Sequence, residues 1–313
     1  MTVRIIGASV ALLLVAAPAA QARDPLAGGT TTLRPAKGLS GTVHVSRASF
    51  RITGGTLESG HARGTIRHAG TLRVRAGSKK VTARSLVIRL GKRRTLSAKV
   101  HGARVTLLKL NGGKVSRAGF DTKIARVRAR LSAAAAKALG VRAGLRLGTL
   151  SLRARPKSVA LADTGATAVA LAPGAASTLQ SLGIAAAPLA PSTALSFPVT
   201  GGRVDVKTFA GSITHAGGVA LTNGATTVAL TDFMIDVSAA PQLTALVGGT
   251  RVPIASLDRA ALKPSVKGRD IRLANVALKL TAPAAAAFNQ AFGTTAFAEG
   301  LLLGTAAITA SAS

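Results

Sequence analysis

GTIRHAG, residues 64–70, and GSITHAG, residues 211–217, stand 147 residues apart in one chain. The same offset carries Ser49-Phe50-Arg51-Ile52-Thr53-Gly54-Gly55 onto Ser196-Phe197-Pro198-Val199-Thr200-Gly201-Gly202. It also carries Gly102-Ala103-Arg104-Val105 onto Gly249-Thr250-Arg251-Val252, and Leu110 onto Leu257. Further on the offset grows to 149, where Leu131-Ser132-Ala133 meets Leu280-Thr281-Ala282, and to 156, where Leu147-Gly148-Thr149 meets Leu303-Gly304-Thr305. Two insertions explain the drift. An ordered set of matches at a near-constant offset is the mark of an internal duplication, and it fixes the architecture before any single element is read. The spacing predicts two homologous modules, 39–158 and 194–313, joined by a connecting segment over 159–193 with a short helix and a Pro/Ala linker at 185–195.

Most of each module reads as strands. Val127, Ala129 and Leu131 alternate with Arg126, Arg128 and Arg130; Leu150, Leu152 and Ala154 alternate with Ser151, Arg153 and Arg155. Period two with one apolar face is the pattern of half-buried antiparallel strands. The arginines then form a solvated ladder, which also keeps exposed strands from pairing with other chains. Asn111-Gly112, Asn223-Gly224 and Gly54-Gly55 punctuate hairpins. Three Ala-rich stretches read as short helices: Ser132 to Gly140, Pro173 to Gly183 and Pro283 to Gly293. Each combines a cap or an early proline with a terminal glycine. The expected fold is mostly β: two tandem antiparallel sandwich- or roll-like modules, each with an Ala-rich helix near its end.

The first residues read as an export leader over 1–22. Arg4 precedes an apolar run from Ile5 to Ala17, and Ala20-Gln21-Ala22 is a small-x-small cleavage site. The run falls short of the roughly 20 residues that cross a bilayer, and polar residues interrupt every later candidate. The reading is a secreted or envelope-associated chain with no transmembrane segment after residue 22. A barrel in a membrane is disfavoured, because arginine-bearing faces are costly toward lipid.

The chain has 41 Lys+Arg against 10 Asp+Glu. Residues 23–158 hold 31 of the cations and 3 of the acids, whereas 159–313 hold 9 and 7. A field of this kind concerns association with anionic partners, not fold. Nucleic acid is the weaker candidate: with no Trp, no Tyr and 8 Phe, the chain has few of the aromatic platforms on which bases stack. Cell-envelope polyanions or surface proteins fit better. There is no cysteine, so thiolate nucleophiles, thiolate metal sites and disulfides are excluded. Acids are scarce, no acid/base pair stands out, and no hydrolase, zinc-protease or P-loop motif occurs. The expectation is a protein that is not an enzyme, with no metal site.

Of five histidines, only His68 and His215 match between the modules. Each falls in phase with apolar neighbours, Ile66 and Leu72 in one copy, Ile213 and Val219 in the other. A neutral imidazole there needs a hydrogen-bond partner. The residues alone fit either a satisfied core histidine or a ligand group beside an apolar pocket.

The Ser-Phe-Arg opening, the G-x-[IV]-x-[FH]-x-G centre and the closing Ala-rich helix with its late strand resemble HtaA-type modules of exported actinobacterial surface proteins, especially over 213–237. The resemblance implies a mostly antiparallel β-fold that binds haem in an apolar pocket and passes it along a surface relay. It further implies a tyrosine on the iron and a supporting histidine, to which His68 and His215 correspond. The chain has no tyrosine; Thr53 and Thr200 stand where one is expected. His68 or His215 would then be the iron ligand itself, with Phe50 and Phe197 packed on the porphyrin and arginines paired with its propionates. The rival expectation is a structural or adhesion protein that holds anionic cell-wall polymer through the basic first module.

Overall fold

The computed structural model describes residues 23–39, 43–45, 48–58, 60–258 and 263–313. The leader expected over 1–22 lies outside the described residues. The first module runs β1 (Asp24–Pro35), β2 (His44–Val45), β3 (Ala48–Leu57), β4 (Gly64–Ala76), β5 (Lys79–Leu90), β6 (Thr95–Val100), β7 (Ala103–Asn111), β8 (Lys114–Ala118), β9 (Asp121–Leu131), α1 (Ala133–Leu139) and β10 (Arg146–Pro156). The second runs β11 (Ser158–Leu171), α2 (Pro173–Ser181), β12 (Ala185–Leu189), β13 (Ser196–Asp205), β14 (Gly211–His215), β15 (Gly218–Asn223), β16 (Thr226–Asp236), β17 (Gln242–Val247), β18 (Thr250–Leu257), β19 (Lys263–Lys267), β20 (Asp270–Leu280), α3 (Ala282–Phe292) and β21 (Leu302–Ala312).

Every strand pairing is antiparallel, and each sheet closes on itself. In the first, the ring is β10-β1-β3-β4-β5-β6-β7-β9 and back to β10. In the second it is β21-β11-β13-β14-β16-β17-β18-β20 and back to β21. The two rings are the same eight-strand barrel, strand for strand. Alternation decides which residues fill it: Val127, Ala129 and Leu131 are buried while Arg126, Arg128 and Arg130 face solvent. An eight-stranded barrel is just wide enough for its inward side chains to fill.

The helices follow their caps. The Ser132 hydroxyl accepts from the Ala135 amide, and Gly140 ends α1 in the left-handed region. Thr281 caps α3 and Gly293 ends it in the same way. Between them, α2 has Pro173 in its first turn but no side-chain cap, and stops at Leu182.

The modules begin earlier than the repeat suggests. The first starts at Asp24, not at 39, because β1 is a ring strand bonded to both β3 and β10. The segment expected as a connection, 159–193, is built into the second barrel: β11 pairs with β13 and β21, and β12 with β15. The physical reason is ring closure. Each ring needs one more strand than the matched blocks contain, and the chain just before each block supplies it.

The barrels meet at the start of β1. Asp24, 3% exposed, accepts the Ala160 amide at 3.0 Å and the Arg203 guanidinium at 3.1 Å, both from the second barrel. Burial pushes its carboxyl pKa up, against the pull of those two partners. Phe120, at the β8–β9 turn, packs on the second barrel's core.

Candidate functional site

His68 and His215 stand at matched positions in separate barrels, so the structure makes two sites and not one. Each ring is buried, 5% and 4% exposed. In each barrel a threonine from the first ring strand meets the histidine. Thr31 Oγ1 lies 2.7 Å from His68 Nε2, and Thr167 Oγ1 lies 2.8 Å from His215 Nε2. Those threonines in turn stand opposite Phe50 and Phe197 across the sheet. The two predicted pairs, His68 with Phe50 and His215 with Phe197, are therefore brought together within each barrel. Thr53 and Thr200, expected at the tyrosine position, are both exposed and face away from the histidines. The threonines at the site are Thr31 and Thr167. Sequence reasoning missed them because they lie 136 residues apart, out of step with the 147-residue repeat.

The second ring nitrogen separates the copies. His215 Nδ1 is 3.1 Å from the Phe233 carbonyl. A carbonyl only accepts, so Nδ1 carries the proton and Nε2 accepts from the Thr167 hydroxyl. His215 is fully satisfied in one tautomer. His68 Nδ1, by contrast, is buried with no hydrogen-bond partner among the described residues. Burial disfavours the charged imidazolium in both. It pushes the His68 pKa down to about 4 and the His215 pKa below its usual value. Both rings are neutral near pH 7.

The barrels also differ in what surrounds the histidine. Beside His215 lies a cavity of about 140 Å³ whose wall is almost wholly apolar. Phe197, Phe233, Phe288 and Phe297 line it, with Thr167 and His215 as its polar groups. Phe197 and Phe233 pack edge to face with centroids 4.7 Å apart. The segment expected as a linker forms one side: Val169, Leu171, Ala175, Leu179 and Ala186 all line the cavity. Gly217 (φ +81°) lets that segment close over the site. A Cβ there would lie 2.1 Å from Ser192 Oγ, so only glycine admits the approach.

The comparable interior of the first barrel keeps a void of about 10 Å³. Register shows one part of the contrast. Leu33 faces Leu150 in the first barrel; Val169 faces Ala306 at the same place in the second. Two leucines have become a valine and an alanine, which takes methyl groups out of this part of the interior.

The other histidines join neither site. His61 Nδ1 pairs with Glu58 Oε1 at 2.7 Å; His44 and His101 are exposed. Among the described residues, no three His, Asp or Glu side chains are grouped to hold a metal ion. No described helix is long and apolar enough to cross a membrane.

No family model and no curated protein matches this chain. One solved structure that resembles it is the C-terminal domain of HtaA from Corynebacterium glutamicum. The overlap is at 19% identity over 49% of this chain and 99% of that one, with a TM-score of 0.38.

Proposed function

We propose that this is an exported, non-catalytic surface protein whose second barrel is a receptor for an apolar ligand. The cavity beside His215 carries the reading. An apolar hollow with one or two convergent polar groups is the usual form of a small-molecule site. Its size suits a benzene-scale ring or part of an alkyl chain; an engineered apolar cavity of roughly 150 Å³ stays dry and takes up benzene. With its proton given to His215, the Thr167 oxygen keeps a lone pair for the single polar contact that would orient such a ligand. Export is supported by the leader-like residues 1–22.

Haem, which the sequence resemblance implies, does not match this geometry. A porphyrin is several times larger than benzene and does not fit a hollow of about 140 Å³. The chain has no phenolate to offer ferric iron, and the His215 Nε2 lone pair is already engaged by Thr167. The residues at the site therefore suit the apolar part of such a ligand better than its iron. We read the second barrel as one that keeps a hydrophobic receptor and lacks the iron ligand.

One titration series distinguishes these ligands. The chain from residue 23 onward is titrated with fluorobenzene, followed by its fluorine NMR signal, and separately with haemin, followed by its Soret band. The expected result is a saturable shift of the fluorobenzene signal that Ala306→Leu removes, and no Soret shift. A Soret shift abolished by His215→Ala would overturn the reading in favour of haem. No saturable binding of either would remove the receptor assignment.

A further inference from the structure

The first barrel carries a row of cations that its fold does not need. Across the sheet Arg89 faces Thr95, Thr95 faces Lys109, Lys109 faces Arg130 and Arg130 faces Arg146. The row crosses five neighbouring strands, about 19 Å at the usual strand spacing. All four cations are exposed. Lys92 and Arg93, in the β5–β6 turn, extend it, and together with Lys109 they line an open cleft of about 550 Å³. Two guanidiniums are steadied on backbone carbonyls: Arg94 on Gly112 at 2.6 Å and Arg130 on Gly144 at 3.0 Å.

Like charges directly opposite across a sheet destabilise it, so the row costs the fold stability. The acids of this half of the chain do not relieve it. Asp24 pairs with Arg203, Glu58 with His61, and Asp121 with Arg153 and Arg155. The second barrel shows that the ring forms without such a row. At the same register positions it has Asp236, Gln242, Ser256, Lys279 and Leu302. The same register positions thus carry one cation in place of four.

We propose that this row is a docking surface for a linear, base-free polyanion laid across the strands. Arginine forks match oxyanions two bonds at a time. Repeated cations at strand spacing suit a chain whose negative groups recur every few ångströms. The face has no tyrosine or tryptophan to stack a base, which sets nucleic acid aside. The site is on the other barrel from the apolar cavity and does not depend on it.

The test uses long-chain inorganic polyphosphate and the chain from residue 23 onward. With about four phosphate contacts, affinity should fall roughly 50-fold between 50 mM and 200 mM salt. The variant R89Q/K109Q/R130Q/R146Q should bind at least tenfold more weakly, with a shallower salt dependence. A control with as many charges removed off the row, K37Q/K80Q/K114Q/K137Q, should lose clearly less. Because the mutated side chains are exposed and repel one another, the row variant should melt no lower than the parent, which separates lost binding from lost folding. Equal losses in both variants would overturn the row as a site and leave only a diffuse field. Tighter binding to oligo-dT of the same charge, or to vesicles rich in phosphatidylglycerol, would overturn the choice of partner. No binding to polyphosphate at 50 mM salt would overturn the proposal outright.

Discussion

The two barrels share a ring order, a capped closing helix and a buried Thr–His contact, yet they differ in nearly everything that contact with a partner requires. The first is filled and strongly cationic; the second is hollow and close to neutral. The difference traces to few positions. Leu33 and Leu150 against Val169 and Ala306 set how much inward volume fills one part of the ring. Arg89, Lys109 and Arg146 against Asp236, Ser256 and Leu302 decide whether there is a cationic row. The residues that close the ring are held in common, while inward methyl groups and outward charges are where the copies diverge. A duplicated fold can thus separate its tasks without changing its topology.

The comparison can be broken or sharpened by substitution. The largest effect belongs to Leu150→Ala, which gives the first barrel the second barrel's residue. Without room to collapse it should cost about 2–5 kcal/mol, measured by urea unfolding, and should open a cavity beside His68. A smaller cost would mean that the first barrel is less rigidly filled than its packing indicates.

Acid comes next. A histidine whose pKa is lowered by folding stabilises the protein above its unfolded pKa of 6.5, and that contribution is lost as pH falls toward the folded value. For His68, with a folded value of about 4, the loss between pH 6.5 and 4 is roughly 3 kcal/mol. His215 acts in the same direction. Urea midpoints at pH 7 and pH 4.5 should differ markedly in the parent and less in His68→Gln. An unchanged slope in that variant would remove His68 as the cause.

The threonines test the Thr–His contact itself. Thr31→Val removes the one hydrogen bond of normal geometry that the His68 ring makes, whereas Thr167→Val leaves His215 its bond to Phe233. Each should cost about 1–3 kcal/mol, with Thr31→Val the more damaging. The reverse order would show that the Phe233 bond contributes little. The smallest effect is expected for Ala306→Leu. Filling the hollow with the first barrel's residue should stabilise by about 1 kcal/mol and abolish uptake of fluorobenzene, readable from melting and from fluorine NMR.

Much of the fold is legible in the sequence, and the limits are physical. Alternation at Val127–Leu131 exposes strand and face together because the side-chain period of a strand is fixed. Ser132, Gly140, Thr281 and Gly293 bound their helices because caps are local chemistry. The burial of His68 and His215 follows from their phase. Ring closure is not legible: that β1 lies between β3 and β10 depends on pairings more than a hundred residues apart, and no local pattern encodes them. Thr31 and Thr167 were hidden for the same reason. The cavity was hidden because it is a matter of inward volume, as at Val169 and Ala306, and an absence of volume leaves no motif.

In both rings the closing seam joins the earliest strand of the module to its latest, β1 to β10 and β11 to β21. Neither barrel can close until its final strand has been made, so the seam pairing, among the longest in sequence separation, costs the most loop-closure entropy in each copy. Closure also leaves no free ladder edge among the ring strands themselves. Trimming β21 would strip partners from β11 and β20 at once and turn a sealed cylinder into an open sheet with two bare edges, ready to recruit strands from other chains. The last eleven-residue strand, Leu302–Ala312, is in this sense the clasp of the second barrel.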